Sequence, residues 1–86
     1  MAQITIYTTP ACPYCAMAKS LLHEKGAVFD EIDVNSDTVE RQRMITRANG
    51  KRSVPQIFIG STHVGGCDDL HALDAKGGLD PLLAVT

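Results

Sequence analysis

The chain has no tryptophan, only two tyrosines and two phenylalanines, and just three cysteines among its 86 residues. So few aromatic rings leave no stacking platform for single-stranded nucleic acid. A formal charge of -2 provides no strongly basic surface for a duplex or an anionic membrane. No apolar run approaches the roughly 20 residues of a membrane-spanning helix. The opening "MAQITIYTT" lacks the basic stretch and apolar core of a secretory leader. These absences predict a cytoplasmic protein with neither a nucleic-acid nor a membrane partner. Neither a phosphate-cradling glycine loop nor a serine-hydrolase elbow is present. Three cysteines are also too few, and odd in number, for a disulfide framework.

An apolar fraction of 44% is ordinary for a globular domain, and the length suits one domain over residues 1–86 with a single small core. Alternation around Ile4 and Ile6 predicts a strand over 3–9, which Pro10 ends. Pro13 suits a first helical position. Ala18, Leu21 and Leu22 then make an i, i+3, i+4 stripe, and Gly26 supplies the stop, so a helix is expected over 13–25. A second strand is expected over 27–34. Asp37 with Glu40 three residues on forms a capping-box variant for a second helix, with Met44, Ile45 and Ala48 facing inward. Two short β-rich runs, 57–59 and 62–64, meet at Gly60-Ser61, a dipeptide suited to a hairpin. "CDDLHALDAKGG" places acids first and Lys76 last, the charge order a helix dipole prefers. The tail over 79–86 adds a further turn of helix. The order βαβαββα predicts an α/β fold with a mixed four-stranded sheet flanked by helices, its first three elements a right-handed βαβ unit. Met17 and Met44 are expected in the core, the three histidines at the surface, and Arg43 and Arg47 on a solvated helix face.

Against this background stands "TTPACPYCAMAKSLL", with Cys12 and Cys15 at the strand-to-helix junction. Two thiols in that position read as a redox pair of the thioredoxin type. Cys12 falls at the N-cap, where orphan N–H groups and the positive end of the dipole favour a thiolate, and Cys15 lies one turn inside, able to close back on it. A thiol whose pKa falls from about 8.5 to about 5 gains roughly 30-fold in thiolate at pH 7 and loses roughly 40-fold in intrinsic nucleophilicity. The net gain is in leaving: such a sulfur is expelled faster from a mixed disulfide. Zinc would need four ligands, and beyond this pair the chain offers only Cys67 and the scattered His23, His63 and His71, so no metal site is expected.

The segments "CPYC", "SVPQIFI" and "GGCDDLHALDAKGGLDPLL", in this order and spacing, resemble the glutaredoxins, in particular their small bacterial dithiol type. The likeness runs nearly end to end. It implies a thioredoxin-like fold and glutathione-dependent thiol-disulfide exchange, with glutathione as co-substrate, no bound cofactor, and glutathionylated or disulfide-containing proteins as partners of a monomer. By the same resemblance Cys12 is the nucleophile and Cys15 the resolving thiol. Tyr14 lines the groove, and Val54, before a cis Pro55, pairs its backbone with the cysteinyl part of glutathione. Ser53 and Gln56 flank that pair. Gly66, Cys67, Asp68 and Asp69 hold the γ-glutamyl end, although capping the last helix is the plainer role for one of the two acids.

One position departs from the pattern. Many glutaredoxins carry a lysine three residues before the first cysteine, where this chain has Thr9. Lys51, Arg52 and Gln56 are then the candidates for the glycyl carboxylate, and Arg52 joins the expected glutathione-binding residues. Two other readings share the fold: a redoxin recharged by a flavoprotein reductase, and an iron-sulfur carrier in which Cys12 of two protomers and two glutathiones hold a cluster.

Overall fold

A computed structural model describes residues 3–84 of the chain. Its elements run β1 (Ile4–Thr8), α1 (Pro13–Glu24), β2 (Asp30–Asp33), α2 (Thr38–Arg47), β3 (Gln56–Ile59), β4 (Thr62–Gly65), α3 (Cys67–Ala75) and α4 (Leu79–Ala84). The sheet order is β2-β1-β3-β4, with β1 parallel to β2 and antiparallel to β3, and β4 antiparallel to β3. The mixed four-stranded sheet expected from the pattern is therefore the one formed.

Alternation along the two central strands divides the core between the faces of the sheet. Ile4, Ile6, Ile57 and Ile59 point to one side and are covered by Ala18, Leu21 and Leu22 of α1, Leu70 of α3, and Leu79 and Leu83 of α4. Tyr7 and Phe58 point to the other, where α2 lays Met44 and Ala48 over them. Lys25, at the end of α1, ties three helices together by ion pairs to Asp74 at 2.8 Å and Asp80 at 3.0 Å.

Several expectations need correction. β2 begins at Asp30, three residues later than the pattern suggested, because Ala27 N–H is consumed by Leu22 C=O at 3.0 Å in the stop of α1. The capping box of α2 is only half formed. Asp37 Oδ1 accepts from Glu40 N–H at 3.0 Å, but the Glu40 carboxylate turns to Arg43 at 2.6 Å. Met17 lies 51% exposed, outside the inward stripe of α1, whereas Met44 is buried as expected. Arg47 is exposed as expected, and its guanidinium also sits 4.2 Å over the Phe58 ring and donates to Tyr7 Oη at 2.9 Å. His63 is half-buried and stacked on Phe58 at 4.7 Å, unlike the exposed His23 and His71. The tail forms α4 as far as Ala84, and the rest of that expected turn, residues 85 and 86, lies outside the described residues.

Candidate active site

The junction between β1 and α1 sets the two sulfurs. Cys12 is the N-cap of α1 in extended conformation, Pro13 follows at the first helical position, and Cys12 Sγ accepts from Cys15 N–H at 3.1 Å. One orphan donor of the helix start is thus satisfied by the sulfur itself. One turn of helix brings the Cα atoms to 5.2 Å, and the sulfurs are joined as a disulfide. Cys12 is half-buried while Cys15 is buried at 1% exposure. An incoming thiol therefore meets Cys12.

Beside Cys12 runs a groove with a volume of about 240 Å³, lined by Tyr14, Lys51, Ser53, Val54, Pro55, Gln56, Gly66, Cys67, Asp68 and Asp69. Its first wall is the irregular segment leading into β3, bent at Val54. The Val54–Pro55 peptide is cis, and Val54 O lies 3.9 Å from Cys12 Sγ. Its second wall is the N-terminus of α3. Gly65 adopts φ +113°, and a Cβ there would run into the Asp69 carboxylate, with Asp69 Cγ at 2.9 Å. Only glycine fits both the backbone and the space. Asp69 Oδ2 accepts from Gly66 N–H at 3.0 Å, so Asp69 caps the helix and Asp68 is the acid left to face outward.

Most of the residues expected at the site meet in this one groove. Arg52 does not line it; its neighbour Lys51 does. Gln56 reaches the groove but is 1% exposed, and its amide is committed internally, donating to Ser53 O at 3.0 Å and Ser53 Oγ at 3.2 Å and accepting from His63 at 2.7 Å. Of the three candidates for a carboxylate in the groove, Lys51 alone both lines it and has no side-chain bond among the described residues. Burial pushes the Cys67 thiol up, and the charge of Asp68 adds to this, so Cys67 stays protonated at neutral pH and packs as a small apolar residue. The sequence reading missed the link from Gln56 to His63. Among the described residues no group of three or more His, Cys, Asp and Glu side chains is arranged to hold a metal ion, and no helix is long and apolar enough to cross a membrane.

Comparison with known proteins agrees with this geometry. The family model for glutaredoxin matches residues 4–64. Glutaredoxin 3 of Escherichia coli is 55% identical over 83 residues, covering 96% of this chain and 99% of that protein. The solution structure of a glutaredoxin from Brucella melitensis superposes with a TM-score of 0.84 at 57% identity, covering 96% of this chain and 89% of that one. A buckwheat glutaredoxin-glutathione complex superposes with a TM-score of 0.82 at 33% identity, covering 93% of this chain and 74% of that one. The chain belongs to the glutaredoxin family, the glutathione-dependent thiol-disulfide oxidoreductases.

Proposed function

We propose that the chain reduces glutathione mixed disulfides and protein disulfides as a single-domain cytoplasmic monomer, with glutathione as co-substrate and no bound cofactor. The observation that carries this reading is the placement of the more exposed sulfur, Cys12, 3.9 Å from Val54 O at the rim of a groove closed on its far side by a helix N-terminus.

Glutathione is a short peptide with a carboxylate at each end and one ammonium group. Its cysteinyl backbone pairs with Val54 as an added strand pairs with a sheet edge. The γ-glutamyl carboxylate meets the N–H groups that open α3, its ammonium meets Asp68, and Lys51 receives the glycyl carboxylate. Tyr14, 58% exposed, packs along the side.

In the reaction the Cys12 thiolate attacks the glutathionyl sulfur of a mixed disulfide, and the protein sulfur leaves as a thiolate. A second glutathione thiolate then attacks the bound glutathionyl sulfur, expelling Cys12 as thiolate and forming glutathione disulfide. With a protein disulfide, the Cys12 thiolate attacks one sulfur and releases the other as a thiolate, and Cys15 then attacks Cys12 in the resulting mixed disulfide, freeing the second substrate sulfur. The substrate leaves as a dithiol, and the Cys12–Cys15 disulfide is reduced in turn by two glutathiones.

The test is turnover of a glutathionylated peptide and of a disulfide protein, with glutathione as the only reductant. Cys12→Ser should abolish both, whereas Cys15→Ser should retain the first and lose the second. Equal loss in the two variants toward the peptide would refute this division of roles.

A further inference from the structure

The wall that faces Cys12 is held by a chain of buried contacts that begins on the far side of the sheet. The two-residue turn at Gly60-Ser61 pairs Ile59 with Thr62 and Phe58 with His63 of β4, and the imidazole stacks on that ring at 4.7 Å with the planes 20° apart. Gln56 and Phe58 are two residues apart on β3 and so share a face. The stacked imidazole thereby presents Nε2 to Gln56 Oε1 at 2.7 Å.

Proton placement follows from the partners. The Gln56 nitrogen faces Ser53 O, which can only accept, so Gln56 Oε1 is the atom turned to His63, and His63 Nε2 is the donor. Burial lowers the His63 pKa first; Lys51 and Arg47 add to this and Asp69 opposes it, leaving the ring neutral near pH 7. The chain therefore runs from His63 Nε2–H to Gln56, and from Gln56 to the carbonyl and hydroxyl of Ser53, the residue next to Val54.

We propose that His63 is a positioning residue: acting through the buried Gln56 amide, it fixes the Ser53–Val54 peptide that receives the cysteinyl backbone of glutathione. The consequence for glutathione rests on the function proposed above, whereas the fixing of the peptide does not. Without the imidazole, Gln56 Oε1 loses its partner in a nearly dry site, and the amide is no longer held in the orientation that supports Ser53. The contact is the same in ground and transition states, so its loss weakens binding more than it slows chemistry.

Three variants of the full chain test this. A glutamine amide nitrogen lies as many bonds from Cα as Nε2 does, and an asparagine nitrogen as many as Nδ1. His63→Gln can therefore restore the donor, while His63→Asn and His63→Ala cannot.

The first readout needs no glutathione: the NMR signals of the Ser53 and Val54 amides, and water exchange of the Gln56 side-chain amide. His63→Ala and His63→Asn should move those signals and speed that exchange, and His63→Gln should return both towards the native state. The second readout is turnover of a glutathionylated peptide. His63→Ala and His63→Asn should raise KM about five- to tenfold with kcat held within about twofold, and His63→Gln should recover most of the loss. The asparagine variant keeps a polar side chain on β4, so the decision does not depend on the alanine variant folding. Unmoved Ser53 and Val54 signals in His63→Asn, or a His63→Gln variant as impaired as His63→Asn, would overturn the proposal. Signals that move as expected in a protein that turns over cysteinylated and glutathionylated peptides equally well would uphold the positioning role and overturn the glutathione reading.

Discussion

The two walls of the groove are built by different means. The Ser53–Val54 wall is an irregular segment with no ladder of its own, held from behind by side chains: Gln56, then His63, then the stack on Phe58. The α3 wall is held by its own chain, through the left-handed Gly65 and the Asp69 carboxylate that closes on Gly66 N–H. An irregular wall can be adjusted by a distant side chain, whereas a helix start is set by residues within one turn of it. The first wall should therefore yield in binding and the second in folding.

The largest effect that would break this contrast is expected at Gly65. In Gly65→Ala the new methyl carries a φ of +113° that alanine tolerates poorly and displaces the Asp69 carboxylate from its cap. Strain and the lost cap together should cost roughly 2–4 kcal/mol of stability. Denaturant unfolding measures this, and a loss below that seen for His63→Ala would reverse the ranking of the walls.

A smaller effect separates the two basic residues before Ser53. Lys51 lines the groove and Arg52 does not. Lys51→Ala should raise KM for a glutathionylated peptide by at most about fivefold, an effect fading in high salt, because the pair is solvent-exposed. Arg52→Ala should leave KM within error. Steady-state kinetics at low and high salt would expose the opposite order if Arg52 were the contact.

The smallest effect lies away from both walls. Thr8 Oγ1 donates to Glu31 Oε2 at 2.7 Å, and Lys19 Nζ reaches the same oxygen at 2.9 Å, joining β1, β2 and α1. The Thr8 bond first and Lys19 second hold the Glu31 carboxyl below its ordinary value of 4.5. A lowered folded-state pKa gives stability that is fully present above that ordinary value and is lost as pH falls through the folded value. Glu31→Gln should therefore lower the melting temperature by about 2–4 °C at neutral pH, less in acid, with peptide kinetics unchanged. Melting curves of both proteins at neutral and acidic pH measure it.

How much of this was legible in the sequence depended on the range of each signal. Cys12 at a helix start, the Ala18, Leu21 and Leu22 stripe, and the Gly60-Ser61 turn are local patterns, and each was readable. The resemblance carried most of the groove, because the segments that line it lie in three short motifs. Arg52 and Lys51 are neighbours, and which of them turns to the groove is set by the path of the loop from Asn49, whose φ is +62°. His63 was read as a surface residue because its half-burial depends on which residue of β3 it opposes. The Gly60-Ser61 turn makes that residue Phe58, but the burial itself comes from the stack on its ring and the bond to Gln56, which no local composition records. The contacts of the exposed Arg47 are hidden for a similar reason: its partners, Tyr7 and Phe58, come from two strands distant in sequence.

The outer edge of the sheet has a consequence for the chain's dealings with its own copies. β2 is an edge strand, and three of its four residues, Asp30, Glu31 and Asp33, are exposed acids. An uncovered edge invites another strand to add itself, and a second copy arriving there would set carboxylates against carboxylates. The charge that makes β2 a poor core strand thus opposes the pairing of two copies through this edge.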